Sequence, residues 1–210
     1  MPNWCHNSMT ITGSVDEIAR FKQTCLLAHK DGPTLDFEAI KPMPGIFYDD
    51  PGQILFPDPD APEFREQVET QKAFEARALE ATGSAHARDW VCEHWGTDRW
   101  PWDFEVIRDE PNSYECKFVT AWTPPVGIWR ELGEMFPTLD FSLSGYDFLE
   151  GWGFRGTIRD GKLELLEVPL IWVNPKTGKT ASGTMEEADA VLGKDLSFAL
   201  APAPAWDERR

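Results

Sequence analysis

The chain has no run of lysines and arginines, no apolar stretch of membrane-spanning length and no dense set of cysteines. Each absence excludes a class of function. With 20 Lys and Arg against 36 Asp and Glu, the formal net charge is -16. Long-range attraction to nucleic-acid phosphates or anionic lipid headgroups is therefore disfavoured, because both carry the same sign. Nothing approaches the roughly 18 consecutive apolar residues of a membrane-spanning helix. No basic segment followed by an apolar run marks a secretory leader after Met1. The four cysteines, Cys5, Cys25, Cys92 and Cys116, are scattered through 210 residues, which is not the spacing of a disulfide framework. The expectation is a cytoplasmic protein with reduced thiols and no membrane partner, whose acidic surface first serves solubility and otherwise suits basic protein partners or cations, or imitates the charge of DNA.

What is present argues for a folded core. The hydrophobic fraction is 41% and there are ten tryptophans, whereas disordered chains are poor in both. From Cys5 to Thr12 the residues alternate, with Cys5, Asn7, Met9 and Ile11 on one face and His6, Ser8 and Thr10 on the other, as a half-buried strand requires. Gly13 ends it, and Ser14 with Glu17 three residues on reads as a capping box. Val15, Ile18, Phe21, Cys25 and Leu26 follow at helical spacing.

A turn at Gly32-Pro33 and a short apolar piece, Leu35 to Ile40, lead into a Pro-, Asp- and Gly-rich stretch from Ile46 to Pro62 that reads as surface loop. Glu63 to Thr82 is a peripheral helix, with Phe64, Val68, Phe74 and Ala78 its inward residues. Ala85 to His94 is a second helix, ended by Gly96. Two alternating runs, Trp102 to Arg108 and Tyr114 to Trp122, form a hairpin in which Tyr114, Cys116, Phe118, Thr120 and Trp122 share a face. A helix starting at Thr123-Pro124-Pro125 carries Ile128, Leu132 and Phe136 at spacing four, because proline suits a first helical turn. Strands around Leu139 to Leu143, Trp152 to Ile158 and Leu163 to Val168 follow.

Strand, helix, insertion, strand, strand, helix, strand is the order of a ferredoxin-like split β-α-β sheet. The expected fold class is therefore α+β: an antiparallel sheet with two helices on one face. The division is a domain over 1–168, with an insertion at about 35–100, and a C-terminal extension over 169–210. That extension holds an apolar run, Leu170 to Val173, and a helical piece, Met185 to Leu192; its end, beyond Ala201, reads as flexible.

Five ordered motifs carry a resemblance: MPNWCHNSMTITG at the start, Asp36 to Pro44, His94-Trp95-Gly96-Thr97, Thr120 to Pro125, and Gly151-Trp152-Gly153-Phe154. Together they resemble the YubB-like family of plasmid and phage proteins, whose domain is ferredoxin-like. The resemblance covers roughly Met1 to Ile158. It implies a mobile-element protein in a bacterial host, and no catalytic residue carries over.

Chemistry has few candidates. Zinc takes Cys and His in sets of four, but Cys5 and His6 point to opposite faces of a strand, and Cys92 and His94 diverge near a helix end. No metal and no cofactor are expected. A nucleophilic cysteine with His94 and Asp98 is imaginable, but no spacing specifies it. The aromatics say more, because Trp4, Trp95, Trp100, Trp102, Trp122 and Trp152 fall at strand ends, turns or beside glycine. Indoles suit both cores and interface hot spots. The candidate binding residues are Asn3, Trp4, His6, Trp95, Gly96, Thr97, Trp100, Trp122 and Trp152. The leading expectation is binding of a host protein, in the form of counteracting a host defence system. The alternatives are an enzyme or nucleotide-binding protein with a Trp-lined pocket between insertion and sheet, and a single-stranded nucleic-acid binder, which the acidity disfavours.

Overall fold

The computed structural model describes residues 3–30, 32–52, 62–194 and 196–200. The first strand, β1 (Trp4–Thr12), buries Cys5, Asn7, Met9 and Ile11 and leaves the alternate residues more open. Helix α1 (Val15–Cys25) follows, and Ser14 caps it by accepting the Glu17 N–H. Only this half of the capping box forms. The Glu17 carboxylate turns instead to Arg20 and to the Thr138 hydroxyl. Ile18, Phe21 and Cys25 face inward, but Val15, expected on the same stripe, is exposed.

A small two-stranded hairpin, β2 (Leu26–His29) with β3 (Gly32–Leu35), comes next. A single helical turn, α2 (Phe37–Ile40), is capped by Asp36. The proline-rich stretch starts with a 3-10 turn, Gly45–Asp49, that buries Phe47; the rest of the expected surface loop, 53–61, lies outside the described residues, as does the expected flexible end, 201–210. Helix α3 (Pro62–Thr82) buries Phe74 and Ala78 and half-buries Phe64 and Val68. Helix α4 (Ala87–His94) buries Trp90 and Val91.

The hairpin is β4 (Trp102–Glu110) with β5 (Ser113–Ala121), and two register irregularities interrupt β4. Helix α5 (Val126–Met135) sets Ile128, Trp129 and Leu132 into the core. The remaining elements are β6 (Asp140–Asp147), β7 (Trp152–Arg159), β8 (Lys162–Val173), β9 (Thr180–Ser182), α6 (Met185–Leu192) and β10 (Ser197–Leu200).

These strands overturn the expected ferredoxin-like split β-α-β fold. The molecule is a mixed α/β protein built on one eight-stranded sheet, ordered β10-β8-β7-β6-β1-β5-β4, with β9 attached to β8 and every pairing antiparallel. The sheet curls into a half-barrel. Residues of both outermost strands, β4 and β10, line the same concave cavity, which a flat sheet could not arrange. The decisive element is β8, which runs unbroken across residue 168. Its Pro169 pairs with Trp152, the first residue of β7, so the missing N–H falls at the end of that ladder, where a strand tolerates proline.

The two faces of the sheet differ. The main core lies on the face covered by α1 and α5, where Met9, Ile11, Phe21, Tyr114, Phe118, Trp129, Phe136 and Phe141 are buried together. A second, small core of Leu170, Trp172 and Ala188 closes one end of the chain, with Tyr146, Phe148 and Leu200 packed against it. No helix among the described residues is long and apolar enough to cross a membrane.

Candidate functional site

Strand β1 begins where β5 ends, so one rim of the sheet gathers residues from four segments. Trp4 pairs with Ala121 across the β1–β5 ladder. Just beyond, the Trp122 N–H donates to the Asn3 carbonyl oxygen at 2.8 Å. The Thr97 hydroxyl, 1% exposed, donates to the Ala121 carbonyl oxygen at 2.9 Å, and the Thr123 hydroxyl donates to the Gly96 carbonyl oxygen. The Trp95 carbonyl oxygen accepts from Gly127 at the start of α5. The Asn3 amide donates to Glu150 in the β6–β7 connection. Thus Asn3, Trp95, Gly96, Thr97 and Trp122 are tied into one junction.

Glycine is required at two points of it. Gly96 has φ +87, and a Cβ there would lie 2.7 Å from the Val126 nitrogen. At Gly127 a Cβ would lie 1.8 Å from the His94 oxygen. The chains approach this closely only without side chains.

The indoles at this junction divide in two. Trp95 is 2% exposed, lies edge-on to Phe37, Trp90 and Trp100, and donates its Nε1–H to the Lys41 carbonyl oxygen at 2.8 Å. It is structural. Trp4, Trp100 and Trp122 are 39%, 46% and 44% exposed. Trp4 stands edge-on against Trp102 at 4.5 Å, and Trp100 leans on Trp95 at 5.0 Å. Trp152 is half-buried beside Phe154, where with Pro124 it borders a shallow recess.

Trp122 departs from expectation. Rather than continuing the buried face of β5, it leaves the strand with φ +67, and the Thr123 N–H bonds back to the Ala121 carbonyl oxygen across it. That is a γ-turn of the rare positive-φ kind. A bulky side chain in this region costs about 1–2 kcal/mol.

His6 does not join this group. It belongs to the concave face, stacked on Tyr146 with centroids 4.8 Å apart and near Phe148. Burial lowers its pKa, partly offset by the charges of Asp147 and Asp103. The expected pocket of Trp4, His6, Trp95, Thr97 and Trp100 is therefore not assembled; Trp95 and Thr97 sit in the core while His6 opens onto the other side of the sheet. That side holds a cavity of about 480 Å³ whose polar lining includes His6, Ser8, Asp103, Glu105, Lys117 and Ser144. Sequence reasoning missed Asp103, Glu105, Lys117 and Tyr146. The signal for Lys117 was available, since it alternates with the buried Cys116 and Phe118.

The cysteines have the chemistry of core residues. Burial pushes the Cys5 and Cys25 thiols up to about 12 and raises Cys116 further. Cys92 is exposed, and desolvation together with the nearby Asp98 raises it as well. His94 stacks on Trp90 and donates Nδ1–H to its carbonyl oxygen, and Asp98 pairs with Arg88 and Arg99. Among the described residues no three of His, Cys, Asp and Glu gather as metal ligands.

No family model matches the chain. No curated protein matches it either. Among solved structures it is similar to the crystal structure of a protein, api92, from Yersinia pseudotuberculosis with the family designation DUF1281. The identity is 11% and the TM-score 0.46, over 77% of this chain and 95% of that one.

Proposed function

We propose that the chain is a non-catalytic binding protein of a phage or plasmid, which docks its tryptophan rim onto a host protein in the bacterial cytoplasm and so counteracts a host defence system. The observation that carries the docking surface is Trp122. Folding alone favours glycine or asparagine at φ +67, yet this position holds a half-exposed indole. A side chain held in a costly conformation while half exposed is a mark of a functional position.

Trp4 and Trp100 supply two more exposed indoles near the junction. Tryptophan is the residue most enriched among interface hot spots. The net charge of -16 supports a basic partner surface, and steering by that charge would be screened by salt. The mobile-element context rests on the family resemblance of the five sequence motifs, and the defence target is drawn from that context rather than from any residue.

Affinity capture from host lysate with the full chain tests the reading, comparing wild type with a Trp100→Ala/Trp122→Ala variant. One specific partner, weakened by added salt and lost in a double variant that still unfolds cooperatively, is the expected outcome. Capture of the same proteins by both forms would overturn the rim as the docking surface.

A further inference from the structure

We infer that the concave cavity of the half-barrel binds a small organic cation, an ammonium carried on a flat apolar body, with the ammonium at Asp103 and the body against Tyr146 and Phe198. The site uses none of the rim tryptophans and stands independently of the docking proposal. Its volume of about 480 Å³ falls in the range of roughly 300–1,000 Å³ typical of small-molecule pockets.

The walls come from opposite ends of the sheet. Strand β10 contributes Phe198 and Leu200, β6 contributes Tyr146, and β4 contributes Asp103 and Glu105. Tyr146 and Phe198 meet edge-on at 4.6 Å, and Tyr146 is also stacked on His6. This aromatic surface, in which Phe198 is 36% exposed, suits a planar apolar group, and ring faces also attract a cation.

The charges of the cavity select the sign of the ligand. Glu105 lies directly across from Lys117 in the β4–β5 register, so those two charges offset each other. Asp103 is left over. It sits in a register irregularity of β4 with φ +49, and its charge is felt at His6. The cavity is therefore net anionic within an acidic protein, which favours cations and rejects anions of the same shape.

Three probes sharing a phenyl-ethyl frame separate the possibilities by calorimetric titration of the full chain: phenethylamine, 2-phenylethanol and phenylacetate. Phenethylamine is expected to bind saturably. The neutral alcohol should bind about tenfold more weakly, the scale of one hydrogen bond to a charged group, and the anion more weakly still. Asp103→Asn should lower phenethylamine affinity by about tenfold, with the fold retained because asparagine tolerates positive φ. Lys117→Gln should raise that affinity. Alcohol or phenylacetate binding as tight as the amine, amine binding indifferent to Asp103→Asn, or no saturable amine binding would each overturn the inference.

Discussion

Trp95 and Trp122 belong to one hydrogen-bonded junction, yet the first is buried against three aromatic rings and the second stands half in solvent on a left-handed backbone. The residues that join them are the same: Thr97 to Ala121, Thr123 to Gly96, Trp122 to Asn3. One tryptophan holds the 95–97 segment onto the start of α5, and the other is held by it. A buried indole contributes stability through area and one satisfied donor. A half-buried one in a strained turn contributes less, because the strain offsets part of its burial. The contrast separates anchoring from recognition.

The largest expected effect lies on the anchoring side. Gly127→Ala would push a methyl group into the His94 carbonyl, 1.8 Å from where the Cβ must go. Both atoms are backbone-bound, so α4 and α5 would have to separate; we expect a loss of more than about 4 kcal/mol, in the range reserved for severe disruption, seen as failure to give a cooperative thermal transition. A normal transition would show that the close approach of α4 and α5 is not tight.

Trp95→Ala comes next. Removing the indole deletes a buried aromatic, which costs about 3–5 kcal/mol, and leaves the Lys41 carbonyl oxygen without the Nε1–H it accepts. Chemical denaturation should report this loss with little change in the slope, since the surface exposed on unfolding is nearly the same.

A much smaller loss is expected at Trp122. Trp122→Gly releases a positive-φ strain of about 1–2 kcal/mol, which offsets much of the burial lost with an indole that is 44% exposed, so the variant should lose far less stability than Trp95→Ala. A loss as large as that of Trp95→Ala would break the comparison and make Trp122 a second anchor. Trp122→Gly should at the same time lose partner capture.

Much of this arrangement was legible in the chain. The alternation of Cys5, Asn7, Met9 and Ile11 gave the buried face of β1, and the spacing of Ile128, Leu132 and Phe136 gave the inward stripe of α5. Gly96 was recognisable as the stop of the helix before it. The half-exposed position of Trp122 was not legible, because alternation extrapolated from Tyr114 to Thr120 runs one residue past the end of β5, and a γ-turn there takes the chain out of the strand pattern. The sheet was read too small for a similar reason: Pro169 looks like a break in sequence, but at the end of a ladder it interrupts nothing. The short strands β2, β3, β9 and β10 carry too few residues for periodicity to show. The cavity is formed by curling of the whole sheet, which brings β10 to the same hollow as β4, and no local pattern encodes that.

The smallest expected effect sharpens the difference between the two faces of β1. Cys5 belongs to the dry face and His6 to the concave one, where burial lowers the imidazole pKa below its ordinary 6.5 while Asp147 and Asp103 pull the other way. In the unfolded chain His6 has its ordinary value, so around and below 6.5 the unfolded state binds more protons. Stability therefore rises with pH in this window. The contribution of His6 is complete above 6.5 and is lost as pH falls through 6.5 toward the lower folded value, because the stacked imidazole must either charge in a desolvated setting or leave Tyr146. His6→Gln replaces the ring with a neutral side chain that does not titrate. Thermal midpoints measured on either side of 6.5 should fall more on acidification for wild type than for His6→Gln. Equal slopes would mean that His6 is solvated on the concave face, and that the Tyr146 stack does not shield it.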